Sequence, residues 1–139
     1  MACFICEKHK GQINQPPGGY ILEDEYWLVC HFPFQQAVLG QLVVESKRHF
    51  LDFSEMTLEE AQSYGVLMKR LYSALKQLKD YERIYSLMLL EGIPHFHVHL
   101  IPRDSNIRTK GIEFLSQNYS CDEEKACEFA IKMRKLLCK

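Results

Sequence analysis

The sequence predicts an α+β fold: a mostly antiparallel sheet, one long central helix and a second helix at the C-terminal end. Three observations carry this. Short apolar runs bounded by turn residues recur at 20–22, 26–32, 41–45, 83–90 and 96–101. One apolar stripe of helical period occupies 57–79. Several connections are only hairpin-length, which favours antiparallel pairing of the strands.

Each element has a local reason. Residues 11–19 (G-Q-I-N-Q-P-P-G-G) are a loop by composition. The runs 20–22 and 26–32 form a hairpin around Glu23-Asp24-Glu25, and the third strand, 41–45, follows the break at Gly40. Thr57 and Glu60 have capping-box spacing and open the long helix, with Ser54 just before as an alternative cap. Ala61, Tyr64, Met68, Leu71, Leu75 and Leu78 supply its apolar stripe, which ends near Lys79. The apolar run 83–90 reads as a buried strand, Glu91-Gly92-Ile93-Pro94 as a turn, and 96–101 as a strand stopped by Pro102. Residues 104–110 are a polar loop. Ser120 and Glu123 repeat the capping-box spacing, and Ala126, Phe129, Ala130, Met133 and Leu137 form the stripe of the last helix.

The chain has 139 residues, a length that suits one domain and leaves little room for two. Residues 1–139 therefore read as a single unit, with 1–19 an N-terminal arm and loop and 111–139 a C-terminal helical extension. Apolar residues make up 47% and charged residues 25%, which argues against disorder. No apolar run approaches the ~20 residues of a transmembrane helix. A net charge of −1 excludes the broad basic footprint of a nucleic-acid polymer or membrane binder. The opening M-A-C-F-I-C-E-K-H-K lacks the pattern of a signal peptide, so a cytoplasmic location is expected. In that compartment the six cysteines are thiols or metal ligands rather than disulfides. Cys30, Cys127 and Cys138 read as ordinary side chains; Cys3 and Cys6 have the C-x-x-C spacing of a metal knuckle.

The chemistry concentrates in His95-Phe96-His97-Val98-His99-Leu100-Ile101. Alternate residues of a strand share a face, roughly 6.5 Å apart. His95, His97 and His99 then line one face, and Phe96, Val98 and Leu100 the core face. Imidazole near pH 7 serves as nucleophile, base, phosphate donor or metal ligand.

This alternation resembles the histidine triad superfamily of nucleotide hydrolases and transferases. Gly40-Gln41-Leu42-Val43-Val44-Glu45-Ser46-Lys47-Arg48-His49 is similar to the family's central strand and the Lys/Arg-His corner after it, and the resemblance extends from Cys3 to Arg103. It implies the histidine triad fold and a nucleotide substrate attacked at its α-phosphate by the middle histidine, His97. A covalent nucleotidyl-histidine would form, later resolved by water or another acceptor. The second nitrogen of His97 would donate to the His95 carbonyl, which sets tautomer and aim, and His99 would donate to the phosphate or leaving group. The leaving group stays open between dinucleoside polyphosphate, phosphoramidate, acyl-adenylate and sugar nucleotide. The resemblance also implies a homodimer.

Bacterial members resemble this chain in carrying a C-x-x-C knuckle. On that pattern Cys3, Cys6, His49 and His95 would bind a structural zinc ion through four closed ligands. His9 and His31 are competing ligands. Among substrate contacts, Gln41 stands where many members have histidine, and it can hydrogen-bond a neighbouring histidine. Glu91-Gly92-Ile93-Pro94 replaces the family's Gly-Gln-Ser phosphate loop, and no acid or amide for a ribose is evident near residues 30–33. Arg103, directly after the triad strand, and Phe34, in a loop suited to stacking on a base, complete the expected substrate contacts. Lys47, Arg48, Arg108 and Lys110 read as surface charges, and Trp27 as core. Two rival readings follow: a nucleotide-binding module without efficient catalysis, and a metal-dependent phosphohydrolase with His95, His97 and His99 as ligands.

Overall fold

The computed structural model describes residues 3–13 and 15–138; Met1, Ala2, Lys139 and Asn14 of the expected loop lie outside them. Five strands form one antiparallel sheet: β1 (Leu22–Glu23), β2 (Trp27–His31), β3 (Leu42–Ser46), β4 (Tyr81–Leu87) and β5 (His97–Asp104), in the order β1-β2-β3-β5-β4. Four α-helices accompany them: α1 (Phe4–His9), α2 (Leu58–Leu78), α3 (Gly111–Leu115) and α4 (Glu123–Leu137). The α+β expectation holds. No helix among the described residues is long and apolar enough to cross a membrane.

Register assigns each side chain to a face. Leu42 pairs with Leu100 and Val44 with Val98, so these apolar residues share the core face. With Trp27, Val29 and Phe96 they pack against Leu67, Leu71 and Leu75 of α2 and Phe129, Ala130 and Met133 of α4. Val43 pairs with His99 and Glu45 with His97, placing these four on the opposite face. Trp27 keeps its indole N–H satisfied inside the core by donating to Ser63 Oγ at 2.8 Å.

The long helix follows its caps. Thr57 accepts from Glu60 N and Glu60 reaches back to Thr57 N, closing the expected capping box. Its buried stripe is turned slightly from the expected one: Leu67 and Ala74 are buried, whereas Ala61 is exposed. The cap of α4 is Asp122, which accepts from Lys125 N at 3.0 Å, rather than Ser120. A carboxylate at the cap also interacts favourably with the helix dipole.

Strand ends shift for tertiary reasons. β4 starts at Tyr81, two residues earlier than expected, and ends at Leu87. β5 runs through Pro102 to Asp104. Its pairing with β3 ends at Leu100, so Pro102 has only β4 beside it and its missing N–H costs no bond to β3. A short helix, α1, replaces expected irregular chain in the arm, and α3 opens the expected C-terminal helical extension.

Candidate functional site

His95 precedes β5, in the bend where Phe96 N donates to Phe50 O at 2.7 Å. It therefore leaves the strand alternation expected for it. Its ring is buried, and Nε2 donates to Ser46 O at 2.7 Å. That bond fixes the tautomer and leaves Nδ1 as the free lone pair. Burial pushes the imidazole pKa down, which favours the neutral form that metals bind.

Four ligand atoms converge on this point. His95 Nδ1 lies 3.4 Å from Cys3 Sγ, 3.5 Å from Cys6 Sγ and 3.1 Å from His49 Nδ1. Cys6 Sγ lies 3.5 Å from His49 Nδ1, and all four atoms fall within 4.8 Å of one another. Zinc bond lengths of ~2.3 Å to sulfur and ~2.0–2.1 Å to nitrogen predict tetrahedral edges of roughly 3.5 Å (S to N) and 3.3 Å (N to N). The four residues fit a closed zinc site. Helix α1 holds the cysteines on one turn, with Cys3 as its N-cap. Burial and the Cys3 sulfur push the Cys6 thiol pKa up, a penalty that a divalent cation reverses.

The rival ligands are engaged elsewhere. His9 Nε2 lies 3.0 Å from Glu45 Oε1. His31 Nδ1 donates to Phe32 O at 2.7 Å, and its Nε2 accepts from Gly40 N at 2.9 Å, so both ring nitrogens are used in holding the chain before β3.

His97 and His99 stand on the other side of the sheet from the core, with ring centroids 5.3 Å apart. His97 Nδ1 donates to the His95 carbonyl at 2.7 Å. In the neutral ring this bond places the proton on Nδ1 and the lone pair on Nε2, where it can act as a nucleophile. His99 packs edge-on against Phe32 at 4.8 Å and lies 3.5 Å from Gln41 Nε2, a long hydrogen bond to Nδ1. Gln41 Oε1 is oriented by Val38 N at 3.3 Å. Burial, with His97 nearby, pushes the His99 pKa down to about 4, so at neutral pH it is a neutral imidazole.

Both histidines open into a cleft of about 500 Å³, within the range of small-molecule sites. Phe32 and Phe34 line one side, and Phe34 opens a 3₁₀ turn at Phe34–Gln36. Gln41 is not itself a wall residue and meets the site through His99. Arg103 lies outside the cleft. Its buried guanidinium donates to Glu82 Oε1 at 2.6 Å, Tyr85 Oη at 3.2 Å and Ile107 O at 3.0 Å.

Three charged cleft residues, Lys8, Glu45 and Glu123, escaped the sequence analysis. Glu45 is buried at 2% exposure and bonds both His9 and Lys8, whose Nζ lies 2.7 Å from Glu45 Oε2. Burial alone would raise the Glu45 pKa; hydrogen bonds from His9 and Lys8 outweigh it and hold the carboxyl low. Burial pushes the Cys30 thiol up to about 12, so Glu45 is the anion that Lys8 faces. A lone acid within Leu42-Val43-Val44-Glu45 was the available signal, on the face opposite Val44. Glu123, at the start of α4, reaches the cleft because Cys121 N donates to Phe34 O at 2.8 Å; no local pattern announces that.

Comparison with solved structures supplies the fold. A hypothetical histidine triad nucleotide-binding protein from Sulfolobus tokodaii superposes with a TM-score of 0.75 at 17% identity, over 97% of this chain and 91% of that one. The chain has the histidine triad fold. A zinc-bound histidine triad protein from Mycobacterium smegmatis gives a TM-score of 0.73 at 21% identity, covering 99% of this chain and 94% of that one. A histidine triad protein from Bradyrhizobium japonicum gives 0.74 at 16% identity, covering 99% of both chains. No protein-family model and no curated protein matches the sequence. Within the histidine triad fold, then, one short segment, 95–99, carries both His95 of the Cys/His cluster and the pair His97 and His99.

Proposed function

We propose that this chain is a zinc-containing histidine triad enzyme that cleaves or transfers a nucleotidyl group at the α-phosphate of a nucleotide. The observation that carries the reading is the 2.7 Å bond from His97 Nδ1 to the His95 carbonyl, made beside a cleft of about 500 Å³. It fixes the ring with Nδ1 on the carbonyl and Nε2 toward the cleft, and prevents the ring from turning away.

In this reading His97 Nε2 attacks the α-phosphorus. A P–N bond forms, and the bond from phosphorus to the leaving group breaks with its electron pair going to that group. Water or another acceptor then attacks the same phosphorus, its oxygen–phosphorus bond replacing P–N and its proton leaving to solvent. Gln41 donates to His99 Nδ1, so the His99 proton sits on Nε2, where it can meet phosphate oxygen or leaving group. Phe34 stacks on the base. Cys3, Cys6, His49 and His95 hold zinc, which contributes structure and not a catalytic ligand position. The enzyme works as a homodimer on a small nucleotide, in the cytoplasm.

A second reading, a nucleotide-binding module without efficient catalysis, is favoured by Gln41, which cannot shuttle a proton, and by the replaced phosphate loop. The three-histidine metallohydrolase lacks its third ligand, because His95 Nδ1 lies 3.4 Å from Cys3 Sγ.

The deciding experiment is intact mass spectrometry after rapid mixing with dinucleoside polyphosphates and nucleoside phosphoramidates, quenched without acid. The expected result is an adduct of nucleoside-monophosphate mass on His97, absent in His97→Ala. Turnover that persists in His97→Ala overturns the proposal, and binding without turnover or adduct selects the non-catalytic module.

A further inference from the structure

A cleft that takes a nucleotide has to meet phosphate charge, and the basic side chains beside β3 and the triad strand are committed elsewhere. Arg103 is tied to Glu82, Lys47 to Glu23 and Arg48 to Glu60. Among the described residues lining the cleft, Lys8 is the one lysine or arginine.

Helix α1 brings Lys8 there, one turn from the cysteine pair. Nζ donates to Glu45 Oε2 at 2.7 Å and to Cys30 Sγ at 3.2 Å. An ammonium has three N–H bonds, so one donor is left over. The Lys8 side chain is 11% exposed and that of Glu45 3%. Glu45 is in turn the β3 partner of His97, so both side chains rise from the same face of the sheet.

Stability does not account for this pair. Taking two charges out of water costs several kcal/mol per ion, and an apolar pair of similar volume often folds as well or better. A cation anchored beside a phosphate site is worth that cost, because it meets its ligand without reorganising.

We propose that Lys8 is a substrate-binding residue: its ammonium, anchored by Glu45, donates its remaining N–H to a non-bridging oxygen of the nucleotide phosphate in the His97 cleft. Glu45 is a positioning residue that fixes the ammonium and tempers its charge, so that a nucleoside monophosphate product can still leave. The inference rests on the nucleotide reading above. It adds that the arm carrying the metal knuckle also supplies the phosphate contact.

The test is calorimetry on the zinc-loaded protein with the four common nucleoside 5′-monophosphates and the four matching nucleosides. Lys8→Met should weaken the best monophosphate by about tenfold or more and leave its nucleoside within about twofold, the spread of a neutral change. Lys8→Arg, which keeps the charge, should retain most of the monophosphate affinity. Because Lys8→Met leaves Glu45 buried and unpaired, the double variant Lys8→Met with Glu45→Leu is measured beside it and should show the same selective loss. Unchanged monophosphate affinity in both variants overturns the inference while leaving the nucleotide reading intact. So does a parallel fall for nucleoside and monophosphate, which would make Lys8 a wall residue only. Wild-type protein that binds neither ligand class overturns the nucleotide reading, and this inference with it.

Discussion

His95 and His97 are joined by a 2.7 Å hydrogen bond from the His97 ring to the His95 carbonyl, while the His95 ring faces Cys3 and Cys6. The residue that orients the His97 ring therefore also belongs to the Cys3, Cys6, His49 and His95 cluster. Fixing the His95 backbone fixes His97, two residues on.

Metal content should follow the cluster and not the nearby histidines. Cys3→Ser and His49→Ala should each bring zinc below one ion per chain and lower unfolding free energy by several kcal/mol, since metal binding of this kind is folding energy. His9→Gln should keep the metal. Elemental analysis with urea unfolding checks both, and one tightly held zinc in Cys3→Ser would refute the ligand set.

His99 should make the fold acid-sensitive. The unfolded chain takes up a proton at this residue near the ordinary imidazole value of 6.5, whereas the folded chain refuses it until about pH 4. Between those values the unfolded state binds more protons, so stability falls as pH drops from about 6.5 to about 4. The contribution is at most roughly 3 kcal/mol. His99→Asn should therefore show a flatter stability profile across this window. Parallel profiles in denaturant titrations at pH 7, 5.5 and 4 would show that burial does not hold the imidazole neutral.

Gly40→Ala should destabilise the chain by about 2–4 kcal/mol. Gly40 has φ 95°, and an added Cβ would lie 2.9 Å from Tyr81 Oη and 3.0 Å from Phe129 Cζ. The turn it makes sets the start of β3 and delivers Gln41 to His99. Urea midpoints decide the matter: a change below about 0.5 kcal/mol, the level of a neutral surface substitution, would mean that the turn relaxes freely.

Arg103→Lys should cost about 1–3 kcal/mol of stability, because an ammonium cannot reach Glu82, Tyr85 and the Ile107 carbonyl together. Thermal unfolding beside calorimetry with a nucleoside monophosphate separates the alternatives. A fall in nucleotide affinity at unchanged stability would return Arg103 to the phosphate-contact role its position after the triad suggests.

The sequence by itself determined what depends on neighbours along the chain. Period-two alternation placed Val98 and Leu100 in the core and His97 with His99 on the opposite face. The Thr57–Glu60 spacing set the start of α2, and C-x-x-C marked a pair of sulfurs with metal-knuckle spacing. Tertiary structure decided whatever needed a partner far away. The pairing of Lys8 with Glu45 joins the arm to the central strand, and neither residue has a local pattern that requires the other. His95 leaves the strand alternation because Ser46, His49 and the arm take its ring. Arg103, next to the triad in sequence, turns to Glu82 on β4. Glu123, far from it in sequence, reaches the cleft through the docking of Cys121 on Phe34. Side-chain period is a property of one strand or helix; the partner that satisfies a buried charge is selected only when the sheet, arm and C-terminal helix pack together.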